Sequence, residues 1–280
     1  MQVHSMLASV LLLAYGGHAA STPAQSLSVM AEATTNDMSA APTTTIIPRD
    51  SFSSQSAFDA VWDYNYPWGT DHNGAARMDK GQSRLDLAAD ANTLTMTAKR
   101  VTDGSQKPAS HGGKSISIHY LSGTIHARQH MTVATGTTVE LAGDFRAPVA
   151  RGTWPAFWLT AVDGWPPEVD LAEWKGSGKI SFNTFNTSSQ VAAKDVAYPS
   201  PSAFHAVRCV LWDANGSDVG VRFYMDGQLV TTQVGRGFTG KALYLILDLQ
   251  MEGSSGSPGP SSDTEFVARG VSVISYKTEK

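Results

Sequence analysis

Two neighbouring stretches of the chain decide the fold: Trp154-Pro155-Ala156-Phe157-Trp158-Leu159 and, after a short loop, Glu168-Val169-Asp170-Leu171-Ala172-Glu173. The second stretch holds three carboxylates within six residues, and aromatic residues flank it on both sides. Acidic residues are seldom found in an apolar strand unless their charge is compensated or used. The pattern indicates a site in which one carboxylate is ionised while another holds a proton.

The spacing of the three carboxylates predicts a bulged strand. Successive side chains of a strand point to opposite faces, so Glu168 and Asp170 share a face and Glu173 would point away from it. One extra residue at Leu171-Ala172, a β-bulge, would bring Glu173 back beside the other two. We therefore expect all three carboxylates to line one concave sheet face.

Such a face suits the hydrolysis of a glycosidic bond. Two carboxyl groups roughly 5–5.5 Å apart serve a retaining mechanism, one as nucleophile and the other as acid/base. Like charges at that separation raise the pKa of one group, which then keeps its proton. Asp170 would hydrogen-bond the nucleophile and tune its charge. The alternatives are three solvent-exposed acids on an edge strand, or a calcium site built from the same carboxylates.

The rest of the chain is predicted to form strands and turns. Residues 85–87 and 94–98 alternate between apolar and polar and indicate a hairpin, and residues 220–230 indicate a strand, an Asp-Gly turn and a second strand. Two more strands are expected at residues 243–249 and 271–276. No long segment has the 3.6-residue period of a helix, so the pattern favours an all-β sandwich.

Composition and the chain termini define the domain organisation. The 280 residues are 41% hydrophobic and 16% charged, with a formal net charge of −4 and no basic cluster, so neither nucleic acid nor a membrane is expected as a partner. Residues 1–20 are predicted to be a signal peptide, residues 21–50 a disordered leader rich in Ser, Thr, Ala and Pro, and residues 51–280 the catalytic domain. The single cysteine, Cys209, is expected to be a buried structural thiol.

The two opening stretches also resemble a known family. Residues 152–159 resemble the G-x-W-P-A-F-W-L pattern of glycoside hydrolase family 16, and residues 168–173 resemble the bulged E-x-D-x-x-E signature of its laminarinase-like branch. The resemblance implies a concanavalin A-like jelly roll of two curved antiparallel sheets, and endo-acting, retaining cleavage of a β-linked polysaccharide. By position it implies that Glu168 is the nucleophile, Asp170 its assistant and Glu173 the general acid/base.

Aromatic side chains are the natural candidates for substrate contacts, because their faces stack on sugar rings. Four tryptophans near the carboxylates are assigned to substrate binding: Trp154, Trp158, Trp165 and Trp174. A second aromatic group in a loop would wall the cleft: Tyr64, Tyr66 and Trp68.

Two departures from the family pattern concern the substrate. Many members carry a His shortly after the second Glu, where this chain has Asn186, and an Arg before the tryptophan motif, where this chain has Asp144 with Arg146 nearby. Asn186 is therefore assigned to substrate binding. The expected substrate is a β-1,3- or β-1,3/1,4-glucan, with a galactan as the alternative.

The expected protein is a secreted enzyme that acts outside the cell or in the cell wall. We expect a monomer whose partner is the polysaccharide, with no required cofactor and no catalytic metal, while the sequence leaves room for a structural calcium. A non-catalytic carbohydrate-binding protein on the same fold, a transglycosylase and a polysaccharide lyase are the alternatives. Sequons at Asn186 and Asn215 are candidate glycosylation sites.

Overall fold

The computed structural model describes residues 44–79 and 84–277 of the chain. The predicted signal peptide at residues 1–20 lies outside the described residues, as does the predicted leader up to residue 43. Within the described part, no helix is both long and apolar enough to cross a membrane.

Strands dominate the described residues. In chain order they are β1 (Thr44–Ile47), β2 (Trp62–Tyr64), β3 (Ala76–Met78), β4 (Leu85–Ala88), β5 (Thr93–Arg100), β6 (Ala109–His111), β7 (Lys114–Ile116), β8 (Tyr120–Ser122), β9 (Thr124–Ala127), β10 (Thr137–Arg146), β11 (Thr153–Ala161), β12 (Glu168–Trp174), β13 (Lys179–Thr187), β14 (Gln190–Ala197), β15 (His205–Asp213), β16 (Val219–Met225), β17 (Gln228–Gly235), β18 (Leu243–Met251) and β19 (Thr264–Lys277). A short helix, α1 (Gln55–Val61), follows β1, and its N-cap Ser54 accepts a hydrogen bond from the Ala57 N–H.

The strands form two large sheets and one small hairpin. The larger sheet has ten strands in the order β17-β16-β15-β10-β19-β5-β8-β3, with β1 added beside β19 and β4 beside β5. The smaller has seven strands in the order β14-β13-β12-β11-β18-β9-β2, and β6 pairs only with β7. This two-sheet arrangement confirms the all-β sandwich that the sequence predicts.

One pair departs from the predicted antiparallel pattern. Strands β3 and β8 run parallel, while the other pairs in both sheets are antiparallel. The chain between β3 and β8 contains four strands, and a connection of that length can return a strand in the same direction.

Both predicted hairpins are present. Strand β4 pairs antiparallel with β5, and β16 with β17. The β16–β17 turn places Asp226 and Gly227 at φ of 50° and 78°. Positive φ at both central turn residues matches the twist of the flanking strands, which explains the Asp-Gly pair in the sequence.

The predicted boundary between leader and domain at residue 51 is wrong. Strand β1 lies inside the predicted leader and pairs with Ile274 and Ser275 of β19. Ile47 is fully buried, so the last residues of the Ser/Thr-rich stretch belong to the folded domain. Two adjacent isoleucines supply enough apolar surface to add a short edge strand, although the surrounding composition is polar.

The inner faces of the two sheets enclose the core. Phe145 of β10 and Phe266 of β19 meet Phe157 and Trp174 of the smaller sheet, with ring centroids 5.1–5.9 Å apart. Cys209 is buried in this core, as expected, and burial raises the pKa of its thiol. Because the inner face of the smaller sheet is buried in the core, the three carboxylates lie on its outer face.

Candidate active site

The predicted β-bulge lies in β12. On the neighbouring strand β13, Asn183 pairs with Asp170 and Ser181 with Glu173, so three steps of β12 oppose two of β13. The pairing with β11 shifts at the same place. The extra residue at Leu171-Ala172 restores Glu173 to the face of Asp170, as the spacing predicts.

The outer face of the smaller sheet carries a cleft of about 1080 Å³. Alternate residues of three adjacent strands form its floor: Trp154, Ala156, Trp158 and Thr160 of β11, Glu168, Asp170 and Glu173 of β12, and Asp248 and Gln250 of β18. All three predicted catalytic carboxylates are therefore brought together in one cleft.

Glu168 is the first of these carboxylates. Its Oε2 accepts a hydrogen bond of 2.9 Å from Trp165 Nε1. Burial raises the pKa of Glu168 to about 7, and the nearby Glu173 adds to the rise, while the Trp165 hydrogen bond and Lys175 oppose it. Glu168 is thus poised between its two protonation states near neutral pH.

Asp170 lies between the two glutamates in sequence, and its side chain is buried. Its Oδ2 accepts a hydrogen bond of 2.8 Å from Asn183 Nδ2. Burial and then the charges of Glu173 and Glu168 raise the pKa of Asp170 well above its usual value. Asp170 therefore resists ionisation, which limits the repulsion among the three groups.

Glu173 is held by three donors. Its Oε1 accepts from Trp154 Nε1 at 2.6 Å, and its Oε2 accepts from Asn183 Nδ2 at 3.1 Å and pairs with Lys175 Nζ at 2.8 Å. The Glu173 carboxyl group is thus fixed on the cleft floor by contacts from three side chains.

An aromatic wall closes one side of the cleft. Trp68 stacks on Tyr66 with centroids 5.2 Å apart, and His72 lies 5.3–5.5 Å from the rings of Tyr66, Trp68 and Trp158. Trp68 is 46% exposed, whereas Trp158 is 6% exposed. Trp68 therefore presents a ring face to the cleft, and Trp158 supports it from the floor.

A fourth carboxyl group anchors this wall. Asp248 accepts hydrogen bonds from Trp158 Nε1 at 2.8 Å and from the Tyr66 hydroxyl at 2.9 Å. Burial raises the pKa of Asp248 to about 7. Burial, followed by His111, lowers the pKa of His72 to about 4, so its imidazole is neutral at neutral pH.

Two of the predicted substrate-binding residues do not reach the cleft. Trp174 is fully buried against Phe145, Tyr198 and Phe266. It follows Glu173, which faces the cleft, so alternation turns it into the core. Its assignment to substrate binding is therefore wrong.

Asn186 is the second misassigned residue. Its Nδ2 donates to the Val234 carbonyl at 3.0 Å, and its Oδ1 accepts from the Arg236 N–H at 2.7 Å. It ties β13 to the region of β17 in the other sheet. The asparagine that contacts the carboxylates is Asn183, three residues earlier and on the opposite face of β13.

Asp144 and Arg146 also lie away from the cleft. Both belong to β10 in the larger sheet, where Asp144 pairs with Arg269 and the Arg146 guanidinium lies over Phe204. The expectation that these positions touch the substrate is wrong. Tyr64 likewise packs on Phe58 instead of lining the cleft.

Several cleft residues were not identified from the sequence: Asn183, Lys175, Asp248, Gln250, His72 and His111. The alternation of β11 and β12 identifies their own cleft-facing residues. It does not show which residues of β13 and β18 lie opposite them, because strand pairing joins distant parts of the chain.

Among residues 44–79 and 84–277, no group of three or more His, Cys, Asp or Glu side chains is arranged to hold a metal ion. The three carboxylates are instead bound to tryptophan, asparagine and lysine donors.

Comparisons with known proteins identify the family of the chain. The model of the family described as Glycosyl hydrolases family 16 matches residues 72–236. A galactan endo-beta-1,3-galactanase from Flammulina velutipes is 51% identical over 230 residues, which cover 82% of this chain and 89% of that protein.

Two more distant proteins are also similar to this chain. The endo-1,3-1,4-beta-glycanase EglC of Rhizobium meliloti (strain 1021) is 26% identical over 71% of this chain, which spans only 43% of that protein. The crystal structure of an endo-1,3-beta-glucanase from Streptomyces sioyaensis matches with a TM-score of 0.62 at 21% identity, over 78% of this chain and 90% of that chain, and shows the shared fold. The chain thus belongs to glycosyl hydrolases family 16, and it is a retaining glycoside hydrolase.

Proposed function

We propose that this enzyme cleaves internal β-1,3 linkages of a galactan. The observation that carries the proposal is the contrast in identity between relatives: 51% to a galactan endo-beta-1,3-galactanase, against 26% and 24% to two endo-1,3-1,4-beta-glycanases. The sequence pattern alone favours a glucan and leaves a galactan as the alternative, whereas the contrast in identity favours the galactan.

In the first step, Glu168 attacks the anomeric carbon of the sugar. A bond forms between a Glu168 carboxylate oxygen and C1, and the bond from C1 to the glycosidic oxygen breaks. Glu173 gives its proton to that departing oxygen. The product of this step is a glycosyl ester of Glu168 with a free hydroxyl on the released chain.

In the second step, Glu173 acts as a base. It takes a proton from a water molecule whose oxygen attacks C1, and the ester bond to Glu168 breaks. Two inversions at C1 return the original β configuration. If a sugar hydroxyl replaces water as the acceptor, the same step gives transglycosylation.

The environment of Asp170 supports an assisting role. Its burial and its glutamate neighbours raise the pKa of Asp170 and so oppose a second negative charge beside Glu168 when that group is ionised for attack. The Trp165 hydrogen bond stabilises the ionised form of Glu168, which is the nucleophilic form.

The exposed tryptophans are placed to bind sugar rings. Trp165 is 50% exposed and packs beside Phe185 at 5.9 Å, and Trp68 presents a ring on the opposite wall. Rings of this kind stack on the C–H faces of sugars. The floor between them carries the carboxylates.

A panel of polysaccharides tests the substrate. The purified enzyme is assayed on a β-1,3-galactan, laminarin and a mixed-linkage β-glucan, with products separated by size. We expect the galactan to be cleaved fastest and to give intermediate oligosaccharides early in the reaction. Faster cleavage of either glucan would overturn the galactan proposal, and release of monosaccharide alone would overturn internal cleavage.

Two isosteric variants test the residue roles. Glu173→Gln removes the proton donor and should lower kcat roughly 10²–10⁴-fold, and Glu168→Gln should abolish turnover because an amide cannot form the glycosyl ester. Following the reaction by ¹H NMR should show the β-anomer as the first product. Full activity in either variant would exclude the assigned role.

A β-glucan is the second candidate substrate. It is supported by the two Rhizobium meliloti endo-1,3-1,4-beta-glycanases, although their identities are 26% and 24% and the chain spans less than half of their length. The same panel separates the two candidates.

We also propose that the enzyme is exported and acts as a monomer outside the cell, without a cofactor. The apolar run at residues 7–14, followed by small residues, supports export. N-terminal sequencing of protein from the culture medium should show that residues 1–20 have been removed. Retention inside the cell with an intact N-terminus would contradict the proposal.

A further inference from the structure

Lys175 stands out among the described residues that line the cleft, because it is the only lysine or arginine among them. Its Nζ lies 2.8 Å from Glu173 Oε2. The Lys175 side chain keeps 35% of its surface exposed, whereas the Glu173 side chain keeps 8%. A cation that reaches a buried carboxylate from the cleft side interacts with it more strongly than a surface ion pair does.

The backbone after β12 places Lys175 at this point. Gly176 has a φ of +59°, and a Cβ on it would lie 2.4 Å from the Ala150 carbonyl oxygen. The chain can therefore turn sharply against residues 150–151 directly after Lys175. Lys175 is thus held at the end of the strand that carries Glu173.

The other charged groups around Glu173 are acidic. Glu168 and Asp170 lie on β12, Asp248 on β18, and Asp195 on β14 acts through Lys175, while β11 and β13 contribute the uncharged donors Trp154 and Asn183. Any negative charge on these carboxyl groups repels the Glu173 carboxylate, whereas the Lys175 ammonium attracts it. Although burial disfavours the ammonium, Glu173 and Asp170 raise the pKa of Lys175, so it remains charged.

We propose that Lys175 is a positioning residue that sets the pH range in which Glu173 can serve as the general acid. The inference rests on the role proposed for Glu173 above. The ammonium attracts the negative charge of the Glu173 carboxylate at 2.8 Å, so its removal should let Glu173 keep the proton for the leaving oxygen up to a higher pH. Lys175 therefore determines the alkaline limit of activity.

The pH dependence of kcat/KM tests this proposal. Glu173 must be protonated for the first step, so its loss of a proton forms the alkaline limb of the profile. In Lys175→Met we expect that limb to move to higher pH by about one unit or more, while Lys175→Arg, which keeps the charge, should leave it near its original position. Lys179→Met, a lysine on the exposed side of β13, serves as the matched control.

A second substrate separates this role from a structural one. A 2,4-dinitrophenyl β-1,3-galactobioside has a leaving group that needs no proton. On this substrate, the alkaline limb of the kcat/KM profile should therefore be nearly the same for Lys175→Met and for the unaltered enzyme. If Glu173→Gln is inactive on galactan but Lys175→Met leaves its alkaline limb unmoved, the inference about Lys175 is overturned and the proposed function stands. If Glu173→Gln retains full activity, the proposed function fails first.

Discussion

A single amide, Asn183, joins two of the three carboxylates through its Nδ2. Hydrogen bonds to charged groups contribute about 1.5–3 kcal/mol. We expect Asn183→Ala to lower kcat by roughly 10–100-fold, because Asp170 and Glu173 lose their common donor. Steady-state kinetics on the preferred polysaccharide provides the measurement.

Asn186 supplies the matched control for that variant. It lies on the same strand, but its side chain bonds to Val234 and Arg236. Asn186→Ala should reduce the free energy of unfolding by about 1 kcal/mol and leave kcat unchanged. Equal losses of kcat in both variants would contradict the placement of Asn183 at the carboxylates.

The raised pKa of Glu168 has a consequence for stability. The pKa of a glutamate in the unfolded chain is 4.5, and that of Glu168 in the folded protein is about 7. Between these values the folded protein keeps a proton that the unfolded chain releases, so this group lowers stability as pH rises. Glu168→Gln should therefore raise the free energy of unfolding by about 1–3 kcal/mol at pH 8 and change it little at pH 4.

Denaturant unfolding at the two pH values measures this effect. Glu265→Gln, on the exposed side of β19, provides a control in which a carboxylate is removed from the surface. A gain at pH 4 as large as that at pH 8, or the same gain in Glu265→Gln, would show that burial of the Glu168 charge is not the cause.

The carboxylates of the cleft could be predicted from the sequence, whereas their asparagine partner could not. Glu168, Asp170 and Glu173 lie close together in sequence, so strand alternation was enough to place them on one face. Asn183 lies on the next strand, and its alignment with β12 depends on the pairing register. Residues separated by an odd number of positions point to opposite faces of a strand. Asn183 therefore faces the cleft, while Asn186, three residues later, faces the other sheet.

The predicted bulge of β12 also determines the direction of the residue that follows Glu173. Once Glu173 returns to the cleft face, alternation sends Trp174 into the core. The prediction that Trp174 binds substrate rests on the frequency of aromatic residues near sugar clefts. The bulge itself predicts a core position for Trp174, and the side chain is fully buried.

Strand β1 tests how a short element contributes to stability. Ile47 is fully buried and Ile46 is only partly buried. We expect Ile47→Ala to lower the free energy of unfolding by about 2–4 kcal/mol and Ile46→Ala by about 1 kcal/mol. Urea unfolding compares the two, and equal small losses would mean that β1 adds little to the domain. Composition alone could not reveal this strand, because its partner β19 lies at the other end of the chain.

At the scale of the whole molecule, the two faces of the smaller sheet divide stability from activity. Trp174 fills the core and Trp165 lines the cleft with half of its surface exposed. Trp174→Ala should cost about 3–5 kcal/mol of unfolding free energy, whereas Trp165→Ala should raise KM and leave the unfolding free energy nearly unchanged.

Thermal unfolding and kinetics on the same pair of variants check this division. A rise in KM for Trp174→Ala in protein that is still folded, or a loss of several kcal/mol in Trp165→Ala, would contradict it. The pair is matched because both residues are tryptophans: Trp165 lies just before β12 and Trp174 is its last residue.

The sequence predicts the overall fold more completely than it predicts the residues of the cleft. Alternation and turn residues repeat throughout the chain, so many local signals agree on an all-β sandwich. The cleft wall depends on contacts such as that between Tyr66 and Asp248, which are separated by 182 residues. No local pattern reports such a contact, so Asp248 remained unidentified.

The solitary cysteine makes the folded enzyme convenient for site-selective labelling. Cys209 is buried and its thiol resists ionisation, so it should react slowly with maleimides in the native state. A cysteine introduced at Leu229, which is 57% exposed in the sheet opposite the cleft, would then be the preferred attachment point. A fluorophore or a solid support could be joined there while the polysaccharide still has access to the carboxylates.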